Sequence, residues 1–460
     1  MAVTMALFTR DLRVHDNPVL TAAQHAGDAL VPLFVLDEAI VASSYMTPNK
    51  AGFLAAALAE LDDQLRRRSG RLILRGGQVV TEVERLVSEL SITEVHVASD
   101  VSAYSRRREH RLQQCLARHG CSLKVHSSSV TVSEPAELTP AGGQDHFAVF
   151  TPYYRKWLHT LTRRVLPAPR ALKVADVARE PLPSASQICS GVQSPELTVG
   201  GETAARRMLK RWLAGPVDDY HTYHDDLAAD ATSRLSPYLH FGCISPLEVC
   251  YRTRSSSEGR AAFIRQIAWR DFYAQLLAAR PEIAHQNYRD NGAGWQQNPD
   301  MLDAWRRGRT GYPIVDAGMR QLAAEGWMHN RARLITASFL TKTLRLDWRL
   351  GAQHFMSLLV DGDVANNQLN WQWVAGTGTD TRPYRVLNPV RQAERFDPKG
   401  DYVRRWVPEL GHITTQKVHT PWELPPGAAP HYPSRVVDHR VAVAAVKAGG
   451  AIGGASTAVN

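Results

Sequence analysis

The chain contains 460 residues, and its mass of 51.1 kDa exceeds what one hydrophobic core usually serves, so two domains are expected. A hydrophobic content of 44% with 22% charged residues is typical of a globular protein and excludes a generally disordered chain. The formal net charge of +9 and the pI near 9.4 favour an anionic partner, without separating DNA from RNA or an acidic membrane.

Hydropathy and cysteine usage narrow the class of protein further. No apolar run approaches the roughly 18 residues of a membrane span, and the N-terminus MAVTMALFTRDLRVHDNP acquires charge too early for a secretory signal. We therefore expect a cytoplasmic protein without membrane contact. The cysteines form no CxxC pair and have no histidine at zinc spacing, so no metal site is predicted, and free thiols suit the cytoplasm. They are Cys115, Cys121, Cys189, Cys243 and Cys250.

Residues 1–130 alternate short apolar runs with helical segments. The runs VTMALF, ALVPLFVLD, RLILRG, EVHVASD and SLKVHSS are predicted strands. A helix is predicted over 51–68, where four leucines recur on one face. This β/α alternation predicts an α/β domain with a doubly wound parallel sheet.

The loop after the first predicted strand has no nucleotide signature. No GxGxxG follows that strand and no GxxxxGK[ST] occurs in the chain, so neither a dinucleotide nor a nucleoside triphosphate is indicated there. The loop is instead RDLRVHDN, at 10–17. In a parallel sheet it lies at the carboxyl edge, where ligands tend to bind.

The rest of the chain divides by composition. Residues 131–200 are rich in Pro, Ser, Gly and Ala without sustained periodicity and are predicted to be an interdomain connector. Residues 201–424 show a helical pattern almost throughout and are predicted to form an all-α domain. Residues 425–460 are predicted to be a peripheral tail whose last dozen residues are disordered. All eleven tryptophans lie between 157 and 422.

Two segments of the helical half carry polar groups where core packing alone does not require them. In DATSRLSPYLHFG, Ser236 before Pro237 predicts an N-cap with free amide donors, which is either a phosphate seat or only a capped helix. The helix AAFIRQIAWRDFYAQLLAAR, at 261–280, places Gln266, Trp269 and Arg270 on one face with Tyr273.

The run DGDVANNQLNWQW, at 361–373, is too polar for a core strand and too aromatic for an ordinary loop. A helix from about 364 would direct Asn367 and Trp371 toward one side, with Asp361 and Asp363 at its N-terminal end. Carboxylates accept hydrogen bonds and amides both donate and accept, which suits a ring with mixed edges such as a flavin.

Several long segments, in one order, resemble the photolyase and cryptochrome family, and most closely its class I cyclobutane pyrimidine dimer photolyases. They are LFTRDLRVHDNPVL, FTPYYRKWL, TSRLSPYLHFG, WRDFYAQLL, WQQNPDMLDAWRRGRTGYPIVDAGMRQL, GWMHNRARLITASFLTK and DGDVANNQLNWQWVAGTGTD. The resemblance covers nearly the whole chain. It implies an N-terminal antenna domain of the photolyase type, at 1–130, and a C-terminal helical domain that binds FAD and DNA.

The resemblance also implies the flavin-binding residues. Asp361 and Asp363 meet the ring and sugar edges of the flavin, Asn367 faces its N5 atom, and Arg270 and Arg333 stabilise it. The phosphates and ribitol are held by Tyr220, Thr232, Ser233, Arg234, Leu235 and Ser236.

The implied reaction is light-driven repair of DNA. Fully reduced FAD, excited by blue or near-ultraviolet light, gives an electron to a pyrimidine dimer, and the linking bonds of the dimer split. By the same resemblance, Trp269 and Trp373 form the walls of the pocket for the flipped-out lesion, and Gln266, Asn330 and Arg331 contact the lesion or its phosphate. Trp371, Trp348 and Trp295 match the electron-transfer chain of the family.

The chain departs from the family pattern at three lesion-pocket positions. Gln266 stands where a Glu is usual, Leu334 where a Met is usual, and His224 at a position that is commonly Arg. These departures lie at positions that contact the lesion and therefore bear on which lesion is preferred. Asn330 occupies the position of the histidine expected in (6-4) photoproduct enzymes, so the cyclobutane dimer is the predicted substrate.

The resemblance leaves the antenna chromophore open. Arg10, Asp11, Asp37 and Asp100 lie at predicted strand ends that face the implied pocket. His240 stands where deazaflavin-using relatives often have Lys. A deazaflavin, methenyltetrahydrofolate and no antenna all remain alternatives.

Two other functions compete with DNA repair. The first is a cryptochrome-like blue-light photoreceptor that binds FAD and signals through a protein partner. The second is a flavin oxidoreductase that does not use light, which is disfavoured because no dinucleotide fingerprint for a nicotinamide donor occurs. A monomer is expected from the family.

Overall fold

The computed structural model describes residues 2–160, 162–254, 256–290, 292 and 294–444. Among these residues, no helix has the length and apolar character needed to cross a membrane. The predicted disorder of the last dozen residues lies outside the described residues.

The N-terminal region is built on a parallel sheet, as predicted. Its strands are β1 (Val3–Phe8), β2 (Ala29–Asp37), β3 (Ile73–Gly77), β4 (Ile92–Ala98) and β5 (Ser122–His126). Within the described part of the chain they form one five-stranded sheet in the order β3-β2-β1-β4-β5, and all pairs are parallel. The inner strands β1 and β2 are buried along almost their whole length, because helices cover both faces of the sheet.

Helices in this region alternate with the strands. They are α1 (Pro18–Ala26), α2 (Glu38–Val41), α3 (Pro48–Arg66), α4 (Val79–Leu90) and α5 (Ala103–Arg118). The helix predicted over 51–68 is α3. It begins three residues earlier because Thr47 caps it and Pro48 occupies its first position.

The connector at 131–200 packs closely on both neighbouring regions. It contains α6 (Phe150–Leu158) and α7 (Ala185–Ile188). Its Val174 forms a parallel bridge with Leu30 of β2, and Leu30 N donates to Lys173 O at 2.8 Å. The connector is therefore anchored to the sheet after it has run over the helical region.

The C-terminal region is helical. A π-helix at Phe339–Thr343 follows directly after the helix that ends at Ser338, and short 3₁₀ turns lie at Pro216–Asp219, Pro281–Ala284, Pro408–Leu410, Gln416–His419 and Pro421–Glu423. A further 3₁₀ turn, Pro135–Glu137, belongs to the connector. The helices are α8 (Glu202–Leu213), α9 (Tyr220–Tyr223), α10 (Ser236–His240), α11 (Pro246–Thr253), α12 (Glu258–Ala279), α13 (Pro299–Arg306), α14 (Pro313–Glu325), α15 (Asn330–Ser338), α16 (Trp348–Leu358), α17 (Val364–Ala375), α18 (Pro389–Phe396) and α19 (Asp401–Trp406).

One hydrophobic core extends across the boundary between the two regions. It joins Phe8 and Leu58 of the α/β region to Tyr238 and Phe272 of the helical region. A second core, which includes Trp305, lies within the helical region, and a third covers the other face of the sheet.

The loop at 10–17 lies at the carboxyl edge of the sheet and contacts the helical region. Leu12 N donates to Phe241 O at 3.4 Å, and the buried Arg13 donates from Nη1 to Gly242 O at 2.9 Å. Gly242 has a left-handed φ of 68°. A Cβ atom at Gly242 would lie 1.9 Å from Arg10 O, so only glycine permits this approach.

We predict that Gly242→Ala destabilises the protein more than Gly120→Ala does. Gly120 also has a left-handed φ, of 65°, but a Cβ atom there meets nothing within 4 Å. Gly120→Ala should cost about 1–2 kcal/mol of backbone strain. Gly242→Ala should cost about 1–3 kcal/mol more because the Cβ atom overlaps the backbone of the loop. Urea unfolding measures both, and equal losses would contradict this packing.

Candidate functional site

The segment around 361–373 forms the floor of a cleft in the helical region. The cleft has a volume of about 490 Å³ including its mouth. Its walls come from the start of α15, from α16 and from α17. The polar lining residues are Asn330, Arg333, Asp361, Asn366, Asn367 and Asn370, and the apolar ones include Leu334, Phe355 and Trp371.

Asp361 and Arg333 form an ion pair in this cleft, in which the carboxylate is buried and the guanidinium is part-buried. Arg333 donates from Nη2 to Asp361 Oδ2 at 2.8 Å and from Nε to Met328 O at 2.8 Å. The second carboxylate oxygen, Oδ1, is buried and has no partner among the described residues. Burying a charged oxygen without a partner is costly, so Oδ1 marks a position suited to a donor group of a ligand.

Asp363 caps α17 and binds Arg10 from the loop after β1. Its Oδ1 accepts from Asn366 N at 2.9 Å, and its Oδ2 accepts from Arg10 Nη2 at 2.7 Å. Burial alone would raise the pKa of Asp363, but the charge of Arg10, with a smaller contribution from Arg270, lowers it well below its ordinary value. The carboxylate is therefore ionised at neutral pH.

The amides of α17 are fixed by contacts to neighbouring helices. Asn367 donates from Nδ2 to Ala352 O at 3.0 Å, and Asn370 accepts at Oδ1 from the Tyr273 hydroxyl at 3.2 Å. The second contact links α17 to α12, which carries Gln266, Trp269 and Arg270. Arg270 itself binds backbone carbonyls, that of Val130 at 2.8 Å and that of Leu239 at 3.3 Å.

The segment at 220–236 differs in part from the prediction. The helix α10 begins at Ser236, its N-cap position is Leu235, and its five residues form barely more than one turn. The prediction of Ser236 as N-cap was therefore wrong by one position. Ser236 Oγ instead accepts from Trp327 Nε1 at 3.1 Å, and Ser233 Oγ accepts from Leu235 N at 3.3 Å.

Two other features of this segment suit a ligand. Thr232 Oγ1 is buried and has no partner among the described residues. Arg234 has a left-handed φ of 48°, a strained conformation that is typical of ligand-binding loops. Its side chain, however, pairs with Asp230 at 2.7 Å and with Glu325 at 3.2 Å. Tyr220 packs edge-on against Trp212 and Phe263.

The two predicted lesion-pocket tryptophans lie on helices that pack against each other. Trp269 of α12 contacts Tyr273, with ring centroids 5.6 Å apart, and Tyr273 binds Asn370 of the cleft. Trp373 of α17 lines a small pocket together with Leu334, which also lines the cleft. Both tryptophans are part-buried.

The polar residues predicted to contact the lesion have different surroundings. Asn330 is exposed at the mouth of the cleft, and Gln266 is part-buried on α12. Arg331 forms a bidentate ion pair with Asp225, with distances of 3.1 and 2.5 Å, and its guanidinium lies 4.3 Å from the ring centroid of Phe396. Asp225 was not predicted, because no local pattern pairs two charges so distant in sequence.

The predicted electron-transfer tryptophans share the second core. Trp371 and Trp348 are buried, and Trp295 packs on this core from the surface. A Cβ atom at Gly351 would lie 2.2 Å from the Trp371 ring, so this glycine allows the ring to seat against α16. Trp305, which the sequence did not single out, lies 5.9 Å from Trp371 by ring centroids.

A second, larger cavity lies at the carboxyl edge of the sheet. Its volume is about 1540 Å³ including its mouth, and apolar side chains such as Phe34, Leu54, Phe241 and Leu277 form most of the lining. Arg10, Asp37 and Asp100 line it as predicted. Asp363 lines it as well, and the same residue caps α17, the helix that lines the cleft.

Asp11 does not face this cavity, so that prediction was wrong. It is fully buried, accepting from Thr9 N at 2.7 Å and from Asn17 Nδ2 at 3.5 Å. Because the side chain of a strand-end residue can point to either side of the loop, position alone could not decide this.

His240 joins the polar wall of the large cavity. Its Nδ1 lies 3.4 Å from Arg10 Nη2, and its Nε2 lies 3.1 Å from the Tyr45 hydroxyl. Burial, followed by the charge of Arg10, lowers the pKa of His240 well below its ordinary value. The imidazole is therefore neutral at pH 7.

Arg108 also lines the large cavity and was not predicted. Its Nε and Nη2 are buried without partners among the described residues. In the sequence it stands in SRRREHR, where a run of arginines indicates a solvated helix face. The 3.6-residue period of the helix could have predicted this burial, because it directs Arg108 inward while Arg106 and Arg107 remain exposed.

Cys115 and His119 lie four residues apart and meet Glu84 on α4, with ligand atoms within 4.8 Å of one another. The prediction that no histidine lies at zinc spacing from a cysteine did not include this contact, because Glu84 comes from another helix. His119 already binds Glu84 at 2.9 Å, and Arg118 brings a positive charge to within 3.6 Å of the same carboxylate. This is the arrangement of a surface ion-pair cluster.

Comparisons with known proteins identify the family. Residues 4–172 match the profile described as DNA photolyase, and residues 263–449 match the FAD binding domain of DNA photolyase. The chain is 54% identical to the deoxyribodipyrimidine photo-lyase of Streptomyces griseus, over 95% of this chain and 97% of that protein. The chain belongs to the DNA photolyase family.

Solved structures with the same fold include members with different roles. A bacterial class III photolyase from Agrobacterium tumefaciens matches with a TM-score of 0.91 at 34% identity, over 98% of both chains. A cryptochrome from Synechocystis matches at 0.89 and 27% identity, over 97% of this chain and 98% of that one. An archaeal photolyase from Sulfolobus tokodaii, whose structure holds two FAD molecules, matches with a TM-score of 0.82 at 31% identity, over 97% of this chain and 99% of that one.

The residues of the cleft fit the FAD that this family binds. The fit rests on two unpartnered oxygens, Asp361 Oδ1 in the cleft and Thr232 Oγ1 in the segment before α10, which can accept hydrogen bonds or, for the hydroxyl, donate one. The strained backbone at Arg234 lies beside Thr232. Asp361, Asp363, Asn367 and Arg333 would hold the ring system, and the segment at 232–236 would hold the phosphates.

We predict that Asp361→Asn weakens FAD binding about tenfold. The change removes the charge partner of Arg333 and replaces one acceptor oxygen by a donor, a loss of about 1.5 kcal/mol or more. Fluorescence titration of the apoprotein with FAD measures the Kd. Asp303→Asn, on an exposed pair with Arg307, is the matched control and should leave the Kd unchanged. An unchanged Kd for Asp361→Asn would remove this residue from the flavin site.

Proposed function

We propose that this protein repairs cyclobutane pyrimidine dimers in DNA, driven by light. The full-length identity of 54% to a deoxyribodipyrimidine photo-lyase is the observation that carries the proposal. The basic net charge of +9 supports a polyanionic partner. When bound, reduced FAD supplies an electron donor that absorbs blue or near-ultraviolet light.

The residues of this chain bind and orient the reactants and exclude water. Asp361 and Arg333 fix each other in the cleft, while Asp363 holds the start of α17 and thereby the position of Asn367. No side chain has to act as a nucleophile. The protein contributes electrostatics and geometry, since the cofactor carries the chemistry.

A dimer has to leave the duplex before it can reach the cleft. Extrusion of a damaged base costs a few kcal/mol, and photolyases are among the enzymes that work in this way. Stacking on an aromatic ring returns about 1–3 kcal/mol per base. Trp269 and Trp373, both part-buried beside the cleft, supply the two aromatic surfaces.

The residues at the mouth of the cleft favour a cyclobutane dimer over a (6-4) product. Asn330 lies there and offers an amide, without the proton-transfer capacity of a histidine. Gln266, on α12, can donate and accept hydrogen bonds and carries no charge. Arg331 is held by Asp225, so its contact with a DNA phosphate requires that the phosphate compete with this carboxylate.

We propose the buried tryptophans as the path by which oxidised flavin is reduced in light. Trp371 lines the cleft, Trp348 lies in the same core, and Trp295 reaches the surface. A backbone hydrogen bond holds Trp295 near Trp348. Gln296 N, next to Trp295, donates at 2.9 Å to Arg345 O, three residues before Trp348.

We further propose that the large cavity holds an antenna chromophore with a planar, flavin-like ring system. Its apolar walls suit the faces of such a ring, and the free donors of Arg108 suit carbonyl or anionic oxygens on its edge. The two FAD molecules in the Sulfolobus tokodaii photolyase support a second flavin-like group. A deazaflavin is the preferred candidate over methenyltetrahydrofolate.

We propose a cytoplasmic location and a monomeric state. All five cysteines are free thiols, which supports a reducing compartment. Size-exclusion chromatography with light scattering tests the assembly state.

Repair is tested with the reduced protein and an oligonucleotide that carries one thymine dimer. We expect the lesion to disappear under blue light and to persist in darkness. Chromatography of the oligonucleotide measures the loss. A parallel (6-4) oligonucleotide should remain unchanged. If flavin is bound and neither lesion disappears in light, the proposed repair is wrong and a photoreceptor is favoured.

Trp371→Phe separates the two light reactions. It should slow photoreduction of oxidised flavin at least tenfold, because phenylalanine is a poorer electron donor than tryptophan, and it should leave dimer repair by chemically reduced flavin unchanged. Transient absorption measures the first reaction. Wild-type photoreduction in this variant would exclude Trp371 from the path.

We predict that Arg108→Leu weakens binding of 8-hydroxy-5-deazaflavin about tenfold, because a charged hydrogen bond is lost. Arg107→Leu, on the exposed face of the same helix, is the control and should bind normally. Energy transfer to FAD, measured by excitation spectra, reports occupancy. Equal affinities in the two variants would contradict the role of Arg108, and binding of methenyltetrahydrofolate alone would overturn the preferred ring class.

A further inference from the structure

The indole of Trp269 lies against a residue of the connector. Its ring and that of Phe150 are parallel, with an interplanar angle of 4° and centroids 3.7 Å apart. Phe150 opens α6, which lies in the segment that the sequence predicts to be a connector. Phe272 meets Trp269 edge-on at 5.4 Å, so the indole is held on two sides.

The stack continues behind Phe150. Tyr154, one helical turn later, is stacked with Phe150 at 5.5 Å and 14°. Arg265, one turn before Trp269 on α12, lies 5.2 Å from the Phe150 ring and 5.3 Å from the Tyr154 ring. A cation over two aromatic rings adds attraction at the surface of the protein. Phe150 is thus held by Trp269, Tyr154 and Arg265 together.

Buried hydrogen bonds set the position of α6 relative to α12. Gln275 accepts from Phe147 N at 2.9 Å and donates to Phe147 O at 2.9 Å, so one side chain fixes the chain just before α6. Asp271 accepts from Trp157 Nε1 at 2.9 Å near the other end of α6. Because both ends of α6 are tied to α12, Phe150 cannot slide along Trp269.

The covered face of Trp269 determines which face can meet DNA. The indole is part-buried: Phe150 covers one face and Tyr273 lies 5.6 Å away by ring centroids, so a base can stack only on the part of the ring that these side chains leave exposed. We propose that Phe150 is a positioning residue for lesion recognition: it fixes the indole of Trp269 so that one face is ready for an everted pyrimidine pair. This inference rests on the proposed function, in which Trp269 is a wall of the lesion pocket.

Fixing the ring in advance changes the free energy of binding. An indole that rotates freely has to be ordered when a base stacks on it, and this ordering cost reduces affinity. Contacts to undamaged duplex involve phosphates and do not require an everted base. The effect of Phe150 should therefore appear in the ratio of the two Kd values, for damaged and for undamaged DNA.

The test compares Phe150→Leu, Phe150→Tyr and Phe147→Leu as full-length, flavin-bound proteins. Phe147 is buried in the same connector and packs against Tyr153 at 5.7 Å, so Phe147→Leu disturbs the core near α6 without changing the Trp269 stack. Fluorescence anisotropy gives the Kd for a thymine-dimer oligonucleotide and for the same undamaged duplex. Thermal unfolding and the flavin spectrum report the fold.

We expect Phe150→Leu to raise the Kd for the dimer oligonucleotide about tenfold while the Kd for undamaged duplex changes less than twofold. Phe150→Tyr keeps an aromatic ring at this position and should show the wild-type ratio of the two Kd values. Phe147→Leu should also show the wild-type ratio, even if the Tm of this variant falls. An unchanged ratio in Phe150→Leu, or an equal loss in Phe147→Leu, would overturn the inference. If the wild-type protein does not prefer damaged DNA, the proposed function itself is wrong. This result is distinct from one in which the wild type prefers damaged DNA and Phe150→Leu keeps that preference.

Discussion

The ion pair between Asp363 and Arg10 is the contact on which the rest of this structure depends. It joins the loop after the first strand to the helix that forms the floor of the flavin cleft, at 2.7 Å. Asp363 also fixes the first turn of that helix through Asn366 N. Removing one partner of a buried pair leaves an uncompensated charge, which costs several kcal/mol. Arg10 also pairs with Asp100 of its own region at 3.1 Å, so one guanidinium joins a carboxylate of the α/β region to the cap of the helix that lines the cleft.

The same contact relates the two cavities. The large cavity at the sheet edge and the cleft in the helical region lie on either side of α17, with Asp363 on the wall of the first and at the cap of the helix that lines the second. An antenna and a flavin in these sites would share a rigid wall. Rigid separation suits energy transfer, because its efficiency depends on the distance and orientation of the two ring systems.

Local patterns in the sequence were sufficient for most of the fold. The strands VTMALF and ALVPLFVLD have the bounds that were predicted, because each is a continuous apolar run that ends at polar or turn residues. Helix α17 begins where Asp363 can cap it, as predicted. Several residues of the cleft, among them Arg333, Asp361 and Asn367, were also named in advance, but by resemblance to a family, since no spacing rule brings Arg333 to Asp361.

Contacts between distant residues could not be predicted in the same way. The pairing of Arg331 with Asp225 and that of Arg234 with Glu325 depend on how helices pack, and the sequence gives no measure of that. Arg108 was hidden in a run of charges, because a helix turns one member of such a run inward without any change in composition. The connector illustrates a similar limit. Its Pro- and Ser-rich composition reflects its many exposed residues, whereas the buried Phe150 and Trp157 determine how it packs.

The path of the connector has a consequence for how this fold can change. The chain leaves the sheet, runs along α12 and returns to β2, where Val174 pairs with Leu30, before it enters the helical region. A domain boundary placed at one end of the connector would separate Val174 from Leu30 of the sheet. A boundary placed at the other end would separate Phe150 from Trp269 on α12. The two halves are therefore poor candidates for recombination as independent modules. Exchange of an antenna half between relatives would have to carry residues 131–200 with it, together with matching positions on α12.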